Sequence, residues 1–466
     1  MKDKIKIASG QGFWGDLIDA PFDQVTKGKV DYLVMDYLAE VTMSILQKQK
    51  NKNPKLGYAK DIPDLMKRIL PVCVKNGIKV ITNGGGVNPV ACAEAVVDVA
   101  KNLGIKNLKI AVILGDDIKD EIDRIIESGS ELNNMDTNES ILKVKDKILS
   151  ANVYFGAFPI VEGLSRGADI VITGRTTDTG LTLAPMIYEF GWEKDDYDKL
   201  SAGTIAGHIL ECGGQSSGGN FLGDWQSVPN LAEIGFPIAE AYPNGEVIVT
   251  KHSNTGGRVS FQTVAEQLVY EIGNPAEYIT PDCVADFTSI KLEDLGNDRV
   301  KVYGIKGKEA TKFYKVSCSY QDGYSASASL TYSWPQALTK AKATDGILRK
   351  RLQNLNLKFD EIRTELVGYN SCHGPLSFQI EEDKINEIML RIAVRSQDYS
   401  SVERFGKEIA PLILTGPPSV TGFAGGRPKP SDVVAYWPAL MPKDLVKPEV
   451  KIISLQEENE RIKNEN

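Results

Sequence analysis

Histidine is scarce in this chain: three in 466 residues, at His208, His252 and His373. That number excludes a centre built from several imidazoles. The six cysteines, Cys73, Cys92, Cys212, Cys283, Cys318 and Cys372, are scattered and form no C-x-x-C pair. They read as reduced thiols of a cytoplasmic protein, not as a disulfide frame or zinc site. No apolar run approaches the length of a membrane span. The N-terminus, MKDKIKIASG, has charges but no apolar core of a signal peptide. A cationic excess is missing too: 54 Lys and Arg against 62 Asp and Glu leave a net charge of -8. That balance argues against a nucleic-acid partner and gives no sign of a membrane one. There is no internal repeat.

What remains is ordinary globular material, 42% hydrophobic and 25% charged. A chain this long buries a core without staples. Through the first half, strands alternate with helices. Strands are expected at Lys4 to Ala8, Tyr32 to Met35, Lys79 to Thr82, Lys109 to Leu114 and Ile170 to Thr173. Helices are expected from near Pro21, over Leu38 to Lys50, Ile62 to Asn76 and Pro89 to Leu103, and after Pro185 to about Glu189. This order implies parallel βαβ units. Beyond about residue 240 the texture changes. Glu246 to Lys251, Val259 to Thr263, Val300 to Ile305, Phe313 to Tyr320 and Ser327 to Trp334 read as antiparallel strands. The expected fold is α/β: a Rossmann-like parallel sheet in 1–240, an antiparallel β-rich region in 241–335, an α+β domain in 336–455 and a charged tail in 456–466. The α+β domain is expected to include a helix near Ile385 and a strand at Leu390 to Val394.

Four strand ends carry polar, Gly-rich loops, and ligands of open α/β sheets bind at that edge. The first loop, SGQGFWGD, has Gly10, Gly12 and Gly15 in G-x-G-x-x-G spacing, with Asp36 ending the next strand. Read literally, this is a dinucleotide fingerprint. Phe13, Trp14 and Asp16, with a helix delayed to Pro21, argue against NAD(P). A turn capped by Asp16 or Asp19, or a wall of a small-molecule site using Gly12, Trp14 and Asp16, remain as readings. Asp36 and Glu40 are either an acid–base pair or a helix cap and its first turn. Asn83, Gly84, Gly85, Gly86 and Asn88 can cradle an anion or form a tight turn. Arg175 can clamp a carboxylate, with Asp178 holding it or acting on substrate. His208, one helical turn from Cys212, is a proton carrier or a buried structural histidine. Gly256 and Gly257 form a Gly-Arg loop able to close on an anion, or a hairpin turn. Asp16, Asp36, Asp116 and Asp117 are caps or an oxygen set for a divalent metal.

Together GFWGDLIDAP, DYLAEVTMSIL, TNGGGVNP, ITGRTTDTGLTLAP, GHILECGGQSSGGNF and TVAEQLVYEIGNP resemble the acyclic terpene utilisation AtuA-like family. The match runs from about Gly10 to about Tyr324, and GYNSCHGP (Gly368 to Pro375) is also similar. The resemblance implies a cytoplasmic catabolic enzyme near branched acyl-CoA chemistry, not a nicotinamide-dependent one. It also implies a separate small companion protein of ferredoxin-like fold. The expected function is a hydratase or related lyase on a branched unsaturated or hydroxy carboxylic acid or its CoA thioester, in a homo-oligomer. In it the Asn83 to Asn88 loop and Arg175 hold oxygens, and His208, Asp36 or Glu40 moves the proton. The rivals are an NAD(P)-dependent oxidoreductase and a non-catalytic subunit of an acyl-CoA-processing complex.

Overall fold

Prolines mark where several helices begin. Pro21, Pro63, Pro89 and Pro159 each stand in a first helical turn, where the missing N–H has no partner to lose. The computed structural model describes residues 2–422 and 425–455, so the expected tail at 456–466 lies outside the described residues. The chain divides into two units, 1–319 with 436–466, and 320–435.

The first unit opens with β1 (Ile5–Gln11), α1 (Ala20–Thr26), β2 (Tyr32–Met35), α2 (Glu40–Lys52), α3 (Ile62–Asn76), β3 (Lys79–Thr82), α4 (Pro89–Asn102) and β4 (Lys109–Leu114). It continues with α5 (Ile122–Glu127), β5 (Ile148–Val153), α6 (Phe158–Ser165), β6 (Ile170–Thr173), α7 (Gly180–Phe190) and α8 (Tyr197–Glu211). Then follow β7 (Ile238–Ala241), β8 (Val247–Thr250) and α9 (Phe261–Val269).

One mixed sheet of ten strands organises this unit. Its middle is β1-β2-β3-β6-β4, all parallel. β7 lies antiparallel on β1, followed outward by β8, Val300–Tyr303 and Lys291–Asp294. Glu449–Ser454 closes the other side on β4. The expected antiparallel strands at 246–251 and 300–305 therefore extend the sheet that begins at Ile5. Alternate residues serve opposite faces. Ile7, Tyr32, Val34, Ile81 and Val171 pack toward Leu183, Ile187, Ile205 and Ile209 of α7 and α8. Ala8, Leu33, Val80, Ile172 and Val112 pack toward Met66, Ile69, Ala93 and Val96 of α3 and α4. With both faces covered, the central strands read as apolar runs. Their shared direction brings the carboxyl ends to one edge.

Two element expectations need correction. Val259 to Thr263 is not a strand: Ser260 caps α9, its Oγ accepting the Thr263 N–H at 3.3 Å while Thr263 Oγ1 accepts the Ser260 N–H at 2.9 Å. That reciprocal cap outweighs the β-propensity of Val259 and Phe261. Near Ile385 there is only the 3-10 turn Glu382–Lys384 before the strand Glu387–Ser396.

In the second unit, antiparallel strands Glu361–Val367, Glu387–Ser396 and the later part of Phe313–Ser333 pair in order. Helices Ala337–Asn354 and Tyr399–Ile409 cover them, with Leu330, Tyr332, Leu348, Leu390 and Phe405 in the core. Among the described residues, no helix is long and apolar enough to cross a membrane.

Candidate functional site

The carboxyl edge of the parallel strands holds a connected set of polar side chains. Asp36 follows β2 directly. Its Oδ1 accepts the Asn83 Nδ2 at 2.6 Å and the Leu38 N–H at 3.1 Å. Asn83 returns the link, its Oδ1 accepting the Tyr37 N–H at 2.8 Å. The loops after β2 and β3 are thus tied. Past β6, the Arg175 N–H donates to Asp116 Oδ2 at 2.8 Å, and Asn152 Nδ2 donates to the same oxygen at 2.9 Å. The Arg175 guanidinium then crosses back toward β2. Its Nη1 donates to the Leu38 carbonyl at 2.5 Å and to Asp178 Oδ1 at 3.0 Å. It lies 4.1 Å over the Tyr154 ring. The Tyr154 hydroxyl donates to Glu40 Oε1 at 2.9 Å, with Lys315 Nζ 3.7 Å from that carboxylate.

Arg175 is buried, at 2% exposure, and its Nε has no hydrogen-bond partner. Around it the carboxylates diverge in character. Burial pushes Asp36 up to about 6, against the pull of Arg175 and Asn83. Burial raises Asp178 well above the carboxylate range; Arg175 opposes this, while Asp36, Glu211 and Glu40 add to it. Burial also acts on Glu40, but Arg175, its own N–H at the start of α2, Tyr154 and Lys315 outweigh it and hold the group low. Carboxyls driven apart in this way are able to divide acid and base roles near neutrality.

A stability prediction follows from three buried carboxyls: Asp36, Asp116, which burial pushes to about 7, and Asp282, which burial pushes to about 6. Below about pH 4 both folded and unfolded chains are protonated there, and no penalty exists. As pH rises, the unfolded chain ionises first while the fold keeps its protons. Stability should therefore fall between about pH 4 and 7, by on the order of 3–4 kcal/mol per group, and then level off. Urea unfolding across that range measures it, with a rise in stability as the contrary result.

The other expected site residues fall in three groups. Gly12 lies against the protein's own chain: an added Cβ would sit 2.8 Å from the Cys212 carbonyl carbon and from the Gly213 nitrogen. The close approach a pyrophosphate needs is taken by the end of α8, and α1 begins only at Ala20. Asp16 accepts the Gly12 N–H at 2.9 Å and the Leu17 N–H at 2.7 Å, and Trp14 Nε1 donates to Asp61 at 2.7 Å. Gly12→Ala should cost about 1–3 kcal/mol because backbone, not a flexible side chain, must yield. A melting temperature equal to wild type would contradict this packing.

The Asn83 to Asn88 turn spends N–H groups internally. Gly84 donates to Thr82 Oγ1, Gly86 to the Asn83 carbonyl, Val87 to Gly57 and Asn88 to Gly85. The Asn88 side chain binds the Pro54 and Leu56 carbonyls. Of this stretch only Asn83 reaches the cluster, while Gly85 is buried. Gly256 and Gly257 pack on residues 217 and 229–234.

His208 stands behind the cluster, 2% exposed. Nε2 is 3.0 Å from the Gln267 carbonyl and Nδ1 is 2.7 Å from Glu211 Oε1. Tyr278 and Phe287 flank the ring. Burial lowers its basicity, but Glu211 and the Gln267 carbonyl outweigh that and keep it raised. His208 is thus buried beside Glu211 and outside the Asp36–Arg175–Asp178 set, an arrangement that matches the buried-histidine reading. The proposed metal set also separates: Asp16 holds Gly12, Asp36 holds Asn83, Asp116 holds Asn152, and Asp117 accepts the Lys119 N–H. Among the described residues no three His, Cys, Asp or Glu side chains converge as metal ligands.

Tyr154 and Lys315 carry no local sequence signal of a site, whereas Glu211 stands beside His208 and Cys212 in the motif GHILECGG. Tyr154 follows β5, whose short run ILSANV carries a weak alternating signal.

The fold and site define a mixed α/β protein with a carboxylate cluster closed on a buried arginine at a sheet's carboxyl edge. The chain belongs to the family described as acyclic terpene utilisation family protein AtuA, whose model matches residues 5–452. No curated protein and no solved structure was found to match it.

Proposed function

We propose that this protein is a hydratase or related lyase acting on a branched unsaturated or hydroxy carboxylic acid, free or as its CoA thioester. The observation that carries the reading is the Asp36–Arg175–Asp178 cluster, with raised carboxyls against a cation that has an unpartnered Nε. The parallel strands are read as Rossmann-like, their edge serving a small acid in place of a dinucleotide. In hydration, ionised Asp36 takes a proton from water as its oxygen bonds to Cβ. Arg175 receives the charge growing on the carbonyl oxygen. Protonated Asp178 delivers its proton to Cα, and solvent returns the proton from Asp36 to Asp178. Glu40, held ionised, keeps Tyr154 under the guanidinium. A cytoplasmic homo-oligomer with a small companion protein of ferredoxin-like fold belongs to the same proposal, on the family resemblance.

The test is a mass-spectrometric screen of branched enoic and hydroxy acids and their CoA thioesters, with and without divalent metal. A mass gain or loss of one water, absent from Asp178→Asn, supports the reading. No water exchange with any substrate, while the chain co-purifies with an active acyl-CoA enzyme, favours the subunit role.

A further inference from the structure

The antiparallel flank of the large sheet has a second polar concentration, none of whose residues belongs to the Arg175 cluster. Ile7, Ala239, Val249 and Val300 align across the strands on the core face. The adjoining row is Lys6, Glu240, Ile248 and Lys301, on the opposite face. A pocket of about 550 Å³ opens there, within the size range of small-molecule sites. Five cations line it: Lys6, Lys27, Lys29, Lys251 and Arg299. Only two carboxylates do, Glu240 and Asp298.

Those two carboxylates do not neutralise the cations. Glu240, 2% exposed, is shared by Arg299 at 2.9 Å, Lys6 at 3.0 Å and Lys4 at 3.5 Å. One negative charge thus serves three positive ones. Asp298 is taken by Lys251 at 3.0 Å, whose side chain is also buried. Lys27 reaches Asp23 at 2.8 Å, outside the pocket, and Lys29 has no ion-pair partner among the described residues. Gly28 brings those two lysines in. The His252 ring packs against it, with Nδ1 2.4 Å from where a Cβ would stand, and Nε2 3.0 Å from the Gln24 carbonyl. Burial first, then Lys6 and Lys27, lower the basicity of His252, so it adds no charge. Like charges converging in a concavity of a chain with net charge -8 are costly unless an anion joins them.

We propose that this basic pocket binds a phosphate-bearing small molecule. Lys6, Arg299 and Lys29 surround the phosphate, and the remaining volume takes the organic part or a second phosphate. A single phosphate leaves much of the space empty, so pyrophosphate is the better probe.

Calorimetric titration of the full chain at low salt tests this, using pyrophosphate, inorganic phosphate and citrate. One pyrophosphate per chain should bind, more tightly than phosphate or citrate, and weaken as salt is added. Lys6→Gln should weaken it about tenfold. The pair Lys27→Gln with Lys29→Gln leaves Glu240 fully partnered and keeps the test open where Lys6→Gln does not fold; it should weaken binding about fivefold. No heat from millimolar pyrophosphate, citrate binding as tightly as pyrophosphate, or wild-type affinity in the folded variants would each overturn the proposal.

Discussion

Arg175→Ala should destabilise the protein by ~3–5 kcal/mol near neutral pH, and by clearly less at about pH 5. The argument rests on what the guanidinium leaves behind. It is buried, donates to Leu38 and Asp178, and is the cation against which Asp36, Asp178 and Glu40 are set. Without it, those carboxylates must ionise uncompensated or take up protons. Lowering the pH supplies the protons, so the defect shrinks. A loss of packing alone, from the Tyr154 face, would be independent of pH. Arg175→Lys keeps the charge but not the planar fork, and should recover only part of the stability. Urea unfolding at the two pH values separates the readings; equal defects at both would remove the electrostatic role.

Asp36→Asn and Asp178→Asn should each lower turnover by about 10²- to 10⁴-fold without loss of stability. An asparagine oxygen can still accept from Asn83 and Leu38 at the first position, and from Arg175 at the second. The geometry survives while the proton is lost. At Asp36, which is buried, removing the desolvated carboxyl should even stabilise the fold near neutrality. The pH profile assigns the roles. Wild type should gain activity as Asp36 ionises near 6 and lose it again as Asp178 gives up its proton. Asp36→Asn should lose the acid limb. Wild-type rates in both variants would take the chemistry away from this cluster.

Much of the cluster was legible because its members stand at strand ends. Asn83, Arg175 and Asp178 lie beside glycines there, Asp36 directly follows β2, and the Arg175–Asp178 contact spans only three residues. What escaped depends on distance along the chain. Tyr154 and Lys315 meet Glu40 from more than a hundred residues away. His208 has the residue type of a proton carrier, but Gln267, Tyr278 and Phe287, which fix it, come from well downstream. The glycines after Asn83 promised free N–H groups. Whether such groups are free depends on carbonyls such as that of Gly57, which no local spacing shows. For the same reason the G-x-G-x-x-G spacing alone does not show that the space beside Gly12 is filled by Cys212 and Gly213; it was the residues between and after the glycines that argued against a dinucleotide. The capping box at Ser260 was local and readable, and there β-propensity was given too much weight.

The central claim is that burial beside Arg175 raises the Asp36 carboxyl well above the ordinary carboxylate range. It can be measured with no substrate in hand, by carboxyl-carbon NMR titration of aspartate-labelled protein, wild type against Asp36→Asn. The account predicts a resonance with a midpoint of about 6 that is missing from the variant. An Asp36 carbon titrating in the ordinary range, about 3.9, would contradict it.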